Sequence, residues 1–330
     1  MRIDCHVHVV GNGTGGTGCW YRPRGLTRLG APFMLRAVGL DGSALRGDLD
    51  GLYADRLVRY VRESSLDTAV ILAHEEAYRE NGDKIENSGS FYVPNGHVLT
   101  LAARHPELLP AVSIHPARAD AMDELARCLD GGAVMLKCLP NVQNIDWGLS
   151  RYTRFLERMA ESGLILLAHT GSERTMPVAA PELASPRVLT RPLEIGVTCI
   201  AAHCGTGLIG LDPDYFDVFA EMVTKHPRLY GDNSALAALT FRLRPSALRR
   251  MVSDELRGRI LHGSDVPVPV SGAALCALGM LSWRDWRETA RIANPLERDA
   301  ELKRRLGFNE ASFTKLAGLL RKTGQVEKRA

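Results

Sequence analysis

Ile3-Asp4-Cys5-His6-Val7-His8-Val9-Val10 opens the chain as a β-like apolar run with polar residues set into it. In a regular strand, side chains at i and i+2 share a face. His6 and His8 therefore point the same way, and Cys5 points the opposite way. One rigid strand thus offers two imidazoles to one centre. Zinc-like ions take imidazole nitrogen and carboxylate oxygen, and a catalytic site keeps one position open for water.

Seven further apolar runs follow, at residues 69–73, 109–114, 133–136, 164–168, 198–202, 228–231 and 259–263. Most are continuously apolar, as expected of parallel strands covered on both faces. Segments 53–63, 98–104, 122–129, 151–161, 214–225 and 246–252 mix charged and apolar residues at helical spacing. Eight strands, each followed by a helix or a long connection, predict an α/β fold of the (β/α)8 or TIM-barrel type. An open doubly wound sheet is the competing architecture, because pattern alone does not show closure. No internal repeat or low-complexity linker divides the chain, so one domain over residues 1–330 is expected, with a frayed polar tail at 321–330.

Barrel enzymes draw their chemistry from strand ends. Here the ends carry His6 and His8, His74, His115, Lys137, His169, His203, Asp232-Asn233 and Asp265 in chain order. Closure would aim them at one centre. His262 reads as lying inside a strand and directed away from it. Two connections are unusually long: 11–50, rich in Gly and Arg, and 74–95. Long loops in compact domains are usually functional or mobile. Both leave from histidine-bearing strand ends, so both are expected over the C-terminal mouth as one wall of a pocket. They bring Trp20, Tyr21, Arg22, Glu75, Tyr78, Phe91 and Tyr92. Arg22, Arg24 and Arg28, with Arg174 after the fifth run, are candidates to clamp a carboxylate, since guanidinium forks match it. Plain surface placement competes with that reading. Asn141, Gln143, Asn144 and Trp147 are candidate pocket residues after the fourth run.

The segments Asp4-Cys5-His6-Val7-His8, Leu136-Lys137-Cys138-Leu139-Pro140, Ala168-His169-Thr170-Gly171, Ala202-His203-Cys204-Gly205 and His262-Gly263-Ser264-Asp265-Val266-Pro267 together resemble the amidohydrolase superfamily. The likeness is to its amidohydrolase-related branch, amidohydrolase family 2. It implies a metal-dependent barrel that hydrolyses C–N, C–O or P–O bonds, although some members decarboxylate aromatic or unsaturated acids. It implies His6, His8, His169 and Asp265 as ligands of a divalent ion, zinc first and manganese second. His203 matches a catalytic partner of water in one-metal members and a ligand in two-metal members. Lys137 matches a carboxylated lysine that bridges two ions, or an ion-pairing or substrate-binding lysine beside one. One ion and two ions both remain open.

A divalent ion lowers the pKa of bound water from about 15.7 to near 7. Asp265 is suited to move the proton, and His203 to orient the water or steady a developing oxyanion. Arg22, His74, Tyr78, His115 and Arg174 are the candidate substrate-binding residues, with structural roles competing for the two histidines. The expected function is hydrolysis of a small lactone, amide or ester. The alternative is non-oxidative decarboxylation of an aromatic or unsaturated acid. A non-catalytic binding protein is a third reading, and the intact ligand set argues against it.

Composition adds bounds rather than direction. A net charge of +3 over 330 residues gives no reason to expect nucleic acid or a membrane surface as partner. No apolar stretch approaches a membrane span. The expected partners are a small-molecule substrate and a second copy of the chain in a homodimer. The seven cysteines include no CxxC pair, and Cys5, Cys138 and Cys204 flank the candidate ligands, so free thiols in a reducing cytoplasm are expected. The arginine-dense stretch 241–259 reads as a solvated helix face.

Overall fold

The computed structural model describes residues 1–23, 27–86, 88–238 and 242–322. Arg24 and the side chain of Arg28 lie outside that description, as does most of the expected tail. In chain order the strands are β1 (Ile3–His8), β2 (Trp20–Tyr21), β3 (Thr68–Leu72), β4 (Phe91–Tyr92), β5 (Leu108–Val112), β6 (Met135–Cys138), β7 (Ile165–His169), β8 (Cys199–Ala202), β9 (Leu229–Asp232) and β10 (Ile260–Leu261). Eight of them form one sheet in the order β1-β3-β5-β6-β7-β8-β9-β10, and each adjacent pair is parallel.

The sheet curls into a nearly closed barrel. Across the seam, Cys5 N–H donates to the His262 carbonyl at 2.9 Å, Asp265 N–H to the His6 carbonyl at 2.8 Å and His8 N–H to the Val266 carbonyl at 2.8 Å. Those bonds join β1 to the chain leaving β10, and the open-sheet alternative falls away. Inside, Ile3, Cys5, Val70, Leu72, Leu109, Ala111, Met135, Leu167, Ile200 and Leu261 pack as one cluster. Two larger clusters fill the space between strands and helices. Strands apolar on both faces are what this double burial requires.

The helices sit where amphipathic spacing put them, with shifted ends. The helix expected at 53–63 is Leu49–Arg62, whose Asp48 side chain caps it by accepting from Gly51 N–H. The helix expected at 151–161 is Thr153–Ser162, ended by Gly163 at φ 68. Others cover Asn95–Arg104, Ala121–Asp130, Phe216–Lys225 and Pro245–Met251. The last helix, Glu310–Lys322, runs through residues 321 and 322 where fraying was expected; its Leu316, Ala317 and Leu320 join the inner cluster.

Two corrections concern the parts nearest the mouth. The connection 11–50 is not plain loop: it contains a helix, Thr27–Ala37, and a 3-10 turn, Gly42–Arg46. Its start is tied down by Asp50, whose carboxylate accepts from Asn12 N–H at 2.8 Å and Gly13 N–H at 3.0 Å. Its β2 pairs antiparallel with β4 of the other long connection, so the two form one structure over the mouth. The second correction is in β1. Asp4 pairs with Ala69 but Val7 with Ile71, so one extra residue bulges from β1. A bulge re-aims side chains. Cys5 consequently faces the barrel interior rather than away from the ligand side, with Sγ 4.0 Å from the Asp232 carboxylate that also holds His6.

Candidate active site

Residues at or just beyond three of the strand ends converge. Ligand-capable atoms of His6, His203 and Asp265 all lie within 4.8 Å of one another, and all three residues are buried. His8 joins them: its Nε2 is 3.1 Å from Asp265 Oδ1, and His6 Nε2 is 3.2 Å from the same oxygen. Lys137 is buried within β6, and its Nζ lies 3.0 Å from His6 Nε2. His169 stands beside His203 with ring centroids 4.9 Å apart, its Nε2 3.2 Å from the Ser172 carbonyl. His203 and Asp265 both have positive φ, 61 and 67 degrees. Non-glycine residues in this region cost roughly 1–3 kcal/mol each and concentrate at functional sites.

Beneath the imidazoles lies a polar anchor. The Asp232 carboxylate accepts from His6 Nδ1–H at 2.8 Å, from His203 N–H at 2.8 Å and from the Ser234 hydroxyl. Since the Ser234 proton goes to Asp232, its oxygen is an acceptor toward His203 Nδ1 at 2.9 Å. The Ser234 carbonyl accepts from that same nitrogen at 3.1 Å. Both histidines are thereby protonated at Nδ1 and carry their lone pair at Nε2, that of His6 turned toward Lys137 Nζ. A carboxylate behind a histidine is the usual way to fix a metal-binding tautomer.

Charge states agree with that picture. Burial, then the Arg242 cation, push the His203 imidazolium down to about 3, so His203 is neutral near pH 7. Burial and the Lys137 cation also lower His6. Burial alone would raise the Asp265 carboxyl, but the His6, His8 and His203 rings outweigh it and hold the group well below the carboxylate range. Burial lowers Lys137. Neutral imidazoles, an ionised carboxylate and converging lone pairs form the donor set a divalent ion requires. The residues present fit such an ion. The three thiols flanking the ligands are pushed up by burial, Cys138 to about 12, which suits packing rather than ligation.

Above this floor opens a cavity of about 370 Å³. Tyr21, Ala31, Met34, Leu35, Leu45 and Phe91 bring both long connections into its wall. Leu139, Met176, Leu208 and Val268 add more apolar surface, and Glu173, Arg174 and Arg242 add charge.

Of the five candidate substrate-binding residues, Arg174 alone lines this cavity among the described residues, and Asp212 already pairs with it. Arg22 is exposed and stacks over Trp20 at 5.2 Å. His74 is buried beneath Phe91, ring centroids 4.2 Å apart, and burial pushes it down to about 3. Tyr78 packs on His115 at 5.0 Å. His115 is occupied twice by backbone: Nε2–H donates to the Gln143 carbonyl at 2.9 Å and Nδ1 accepts from Ala117 N–H at 3.1 Å. Gln143 braces the loop by accepting from Leu139 N–H and donating to the Glu75 carbonyl, while Trp147 is core. Glu75 pairs with Arg118.

Sequence reasoning missed Asp232 and Ser234 as anchors, and it missed Arg242. Asp232 was legible as a strand end; its grip on His6, 226 positions away, was not. Arg242 was absorbed into a solvated helix face, yet the helix begins only at Pro245.

The Amidohydro_2 amidohydrolase family model matches residues 3–303. The chain belongs to the amidohydrolase family. It is accordingly an enzyme of the metal-dependent amidohydrolase superfamily, whose members generally bind a divalent ion. An uncharacterized TIM-barrel protein from Bordetella bronchiseptica superposes with TM-score 0.63 at 15% identity, covering 99% of each chain. A probable 2-pyrone-4,6-dicarboxylic acid hydrolase from Acinetobacter baumannii, solved with citric acid bound, superposes at 0.57 with 13% identity over 96% of this chain and 99% of that one. The Metarhizium anisopliae IDCase apo form superposes at 0.52 with 10% identity over 100% and 98%. At such identities the shared feature is the barrel. Comparison with curated proteins found no match. Among the described residues, no helix is long and apolar enough to cross a membrane.

Proposed function

We propose that this chain hydrolyses a C–O or C–N bond of a small organic substrate, a lactone, ester or amide, at a zinc centre on the barrel floor. The observation that carries the reading is the convergence of His6, His203 and Asp265 beneath a small-molecule cavity, with Asp232 and Ser234 fixing both Nε2 lone pairs inward. Binding sites for single small molecules run to roughly 300–1,000 Å³, and this cavity of about 370 Å³ is at the lower end.

His6, His8 and Asp265 would hold the ion, with His169 beside them and His203 as ligand or proton acceptor. Bound there, the ion supplies a Lewis acid and water acidic enough to ionise near neutral pH. The chain's own residues do the rest. Asp265 approaches His6 and His8 through Oδ1, which leaves Oδ2 to take the water's proton and return it to the leaving group. His203 holds a free lone pair at Nε2 and accepts a hydrogen bond from the attacking water. Lys137, against His6, either donates to a substrate oxygen or, as a carbamate, holds a second ion. The apolar wall excludes bulk water, which strengthens each of these interactions. A homodimer and a cytoplasmic setting for the buried thiols complete the reading.

The test joins elemental analysis of chelator-free protein to assays on lactones, N-acyl compounds, esters and aromatic acids in 18O-labelled water. Expected are bound zinc and one labelled oxygen per bond cleaved, in the carboxylic acid product. Carbon dioxide release without label incorporation would replace hydrolysis by decarboxylation.

A further inference from the structure

A second cluster of ligand-type side chains lies away from the barrel floor. Cys19, Asp50 and His97 each bring one ligand atom within 4.8 Å of the other two. None of the three lines the cavity above the floor. They come from separate elements: Cys19 directly precedes β2, Asp50 is in the first turn of the helix Leu49–Arg62, and His97 is in the first turn of the helix Asn95–Arg104. Cys19 and Asp50 are buried, and His97 is half-buried. The chain crowds in on them: a Cβ on Gly11 would stand 2.5 Å from Asp50 Oδ1 and 2.8 Å from Cys19 Cβ. Glycine at position 11 is what lets the backbone approach so closely.

Hydrogen bonding accounts for two of the three. Burial alone would raise the Asp50 carboxyl, but donation from the Thr17 hydroxyl, Asn12 N–H, Gly13 N–H and the Cys19 thiol outweighs it and holds the group below its ordinary value. His97 is left over. Burial lowers its imidazole, so the ring is neutral near pH 7, and among the described residues its buried Nε2 has no hydrogen-bond partner. A buried ring nitrogen without a partner calls for an explanation, and an unseen ion is one of the usual ones. Thiol sulfur, imidazole nitrogen and carboxylate oxygen are the three donor types that zinc takes, whereas magnesium and calcium take oxygen. Around a tetrahedral ion with bonds of about 2.0–2.3 Å, such atoms stand about 3.3–3.8 Å apart. Atoms already within 4.8 Å reach that spacing by small side-chain rotations.

We propose that Cys19, Asp50 and His97 form a second zinc site, separate from the barrel floor, that fastens the cavity wall to the surrounding helices. On binding, zinc displaces the Cys19 thiol proton to solvent and takes the sulfur, one Asp50 oxygen and a His97 lone pair. Thiolate and carboxylate together neutralise the two charges of the ion, so the buried cluster ends with no net charge. Water completes the coordination from the half-exposed His97 side. Thr17, Asn12 and Gly13 stay on the carboxylate and aim it, the part such partners play behind a metal ligand. Without metal, burial keeps the Cys19 thiol up at about 12, as it does the thiols beside the floor; Cys19 differs from them in belonging to a three-donor cluster. Cys19 leads directly into β2, whose Tyr21 lines the cavity. An ion held there ties that wall to two helices at once. The site is independent of the reaction class and of the number of ions on the floor.

Cobalt(II) in place of zinc tests the site. A cobalt–thiolate bond gives an intense near-ultraviolet charge-transfer band, and the nitrogen and oxygen donors of the floor do not. Full-length protein stripped by chelation and titrated with cobalt should develop that band. His6→Ala, which damages the floor, should keep it. Cys19→Ser should lose it, and His97→Gln should weaken the cobalt affinity read from it by at least about tenfold. His97 is half-exposed, so its variant serves if Cys19→Ser does not fold; melting curves report folding for each. Zinc should also slow proteolysis within residues 11–50 in wild type and in His6→Ala, and leave His97→Gln unprotected. Absence of the thiolate band from folded wild type at saturating cobalt would overturn the site. So would a band that survives in folded Cys19→Ser, since another thiol would then be the ligand, or an unchanged affinity in His97→Gln. Equal cleavage of wild type with and without zinc would overturn the fastening role.

Discussion

Asp232→Asn changes one atom of the anchor below the imidazoles, and its effect on metal affinity can be worked from the contacts. Asp232 Oδ2 accepts from His6 Nδ1–H, while Oδ1 accepts from the backbone N–H of His203 and of Ser234, at 2.8 and 3.1 Å. Every partner is a donor. An asparagine has one acceptor oxygen, so either orientation turns an NH2 group toward a donor. If the amide nitrogen faces His6, the imidazole relieves the clash by moving its proton to Nε2, which aims a hydrogen at the centre instead of a lone pair. If it faces His203, two buried backbone N–H groups lose their acceptor. Restoring the metal-binding tautomer then forfeits one hydrogen bond to a charged group, about 1.5–3 kcal/mol. At about 1.4 kcal/mol per tenfold, zinc affinity should fall by about 10- to 100-fold, the range seen when the partner of a metal-bound histidine is removed.

Competition against a chromophoric chelator at pH 7.5 measures that ratio directly. Nitrogen-15 chemical shifts of the His6 ring report the tautomer in the same sample, and a melting curve reports folding. A folded Asp232→Asn protein with wild-type zinc affinity and His6 still protonated at Nδ1 would refute the argument, and with it the tautomer assignment at the site.

Other consequences follow from the same geometry. His203→Asn should lower kcat by about 10²–10⁴, the usual worth of a positioned proton acceptor; zinc stoichiometry unchanged beside that loss marks a one-ion centre, and loss of one equivalent marks two. Asp4→Asn bears on stability. Burial raises the Asp4 carboxyl to about 6 from 3.8, and among the described residues its Oδ2 has no hydrogen-bond partner. A raised carboxyl stabilises the fold below its unfolded pKa, and that contribution is lost as pH rises through the folded value. Metal-free wild type should therefore lose up to about 3 kcal/mol between pH 4 and 6 from this group, while Asp4→Asn, which keeps the Oδ1 bonds to His6 and Ser264 N–H, should not. Denaturant unfolding across that window measures the slope, and equal slopes in the two proteins would remove Asp4 as its source.

The barrel was legible because its evidence is local: eight apolar runs with helical segments between them, each readable within about ten residues. Strand-end positions were legible for the same reason, and His6, His203 and Asp265 do converge. What escaped depends on long-range contact or on broken regularity. The alternation argument for Cys5 assumed a regular strand, and the bulge in β1 removed that premise. Ser234 looks like any turn serine until the barrel sets it between His6 and His203, 228 and 31 positions away. The helix inside connection 11–50 contains Pro32 and two glycine-bounded ends, so its pattern reads as loop. His74 and His115 satisfy the strand-end rule as well as His169 does; only packing on Phe91 and Tyr78 distinguishes them.

Floor and wall of the site are built differently, and this divides their functions. The floor residues hang from strands whose backbone bonds close the barrel, and two of them hold left-handed conformations that only a rigid frame sustains. Much of the wall comes from the two long connections, which meet at the strand pair Trp20–Tyr21 with Phe91–Tyr92 and at Arg22 N–H on the Ser90 carbonyl. Changing a floor residue alters whether an ion binds and a proton moves. Changing Met34, Leu35 or Phe91 alters which apolar body fits while the floor is left intact. Arg242 lines the cavity between the two, with Nη2 on the Ser172 carbonyl. A catalytic family signature confined to the floor therefore leaves substrate choice unspecified, because the residues that set that choice lie in the wall and at its junction with the floor.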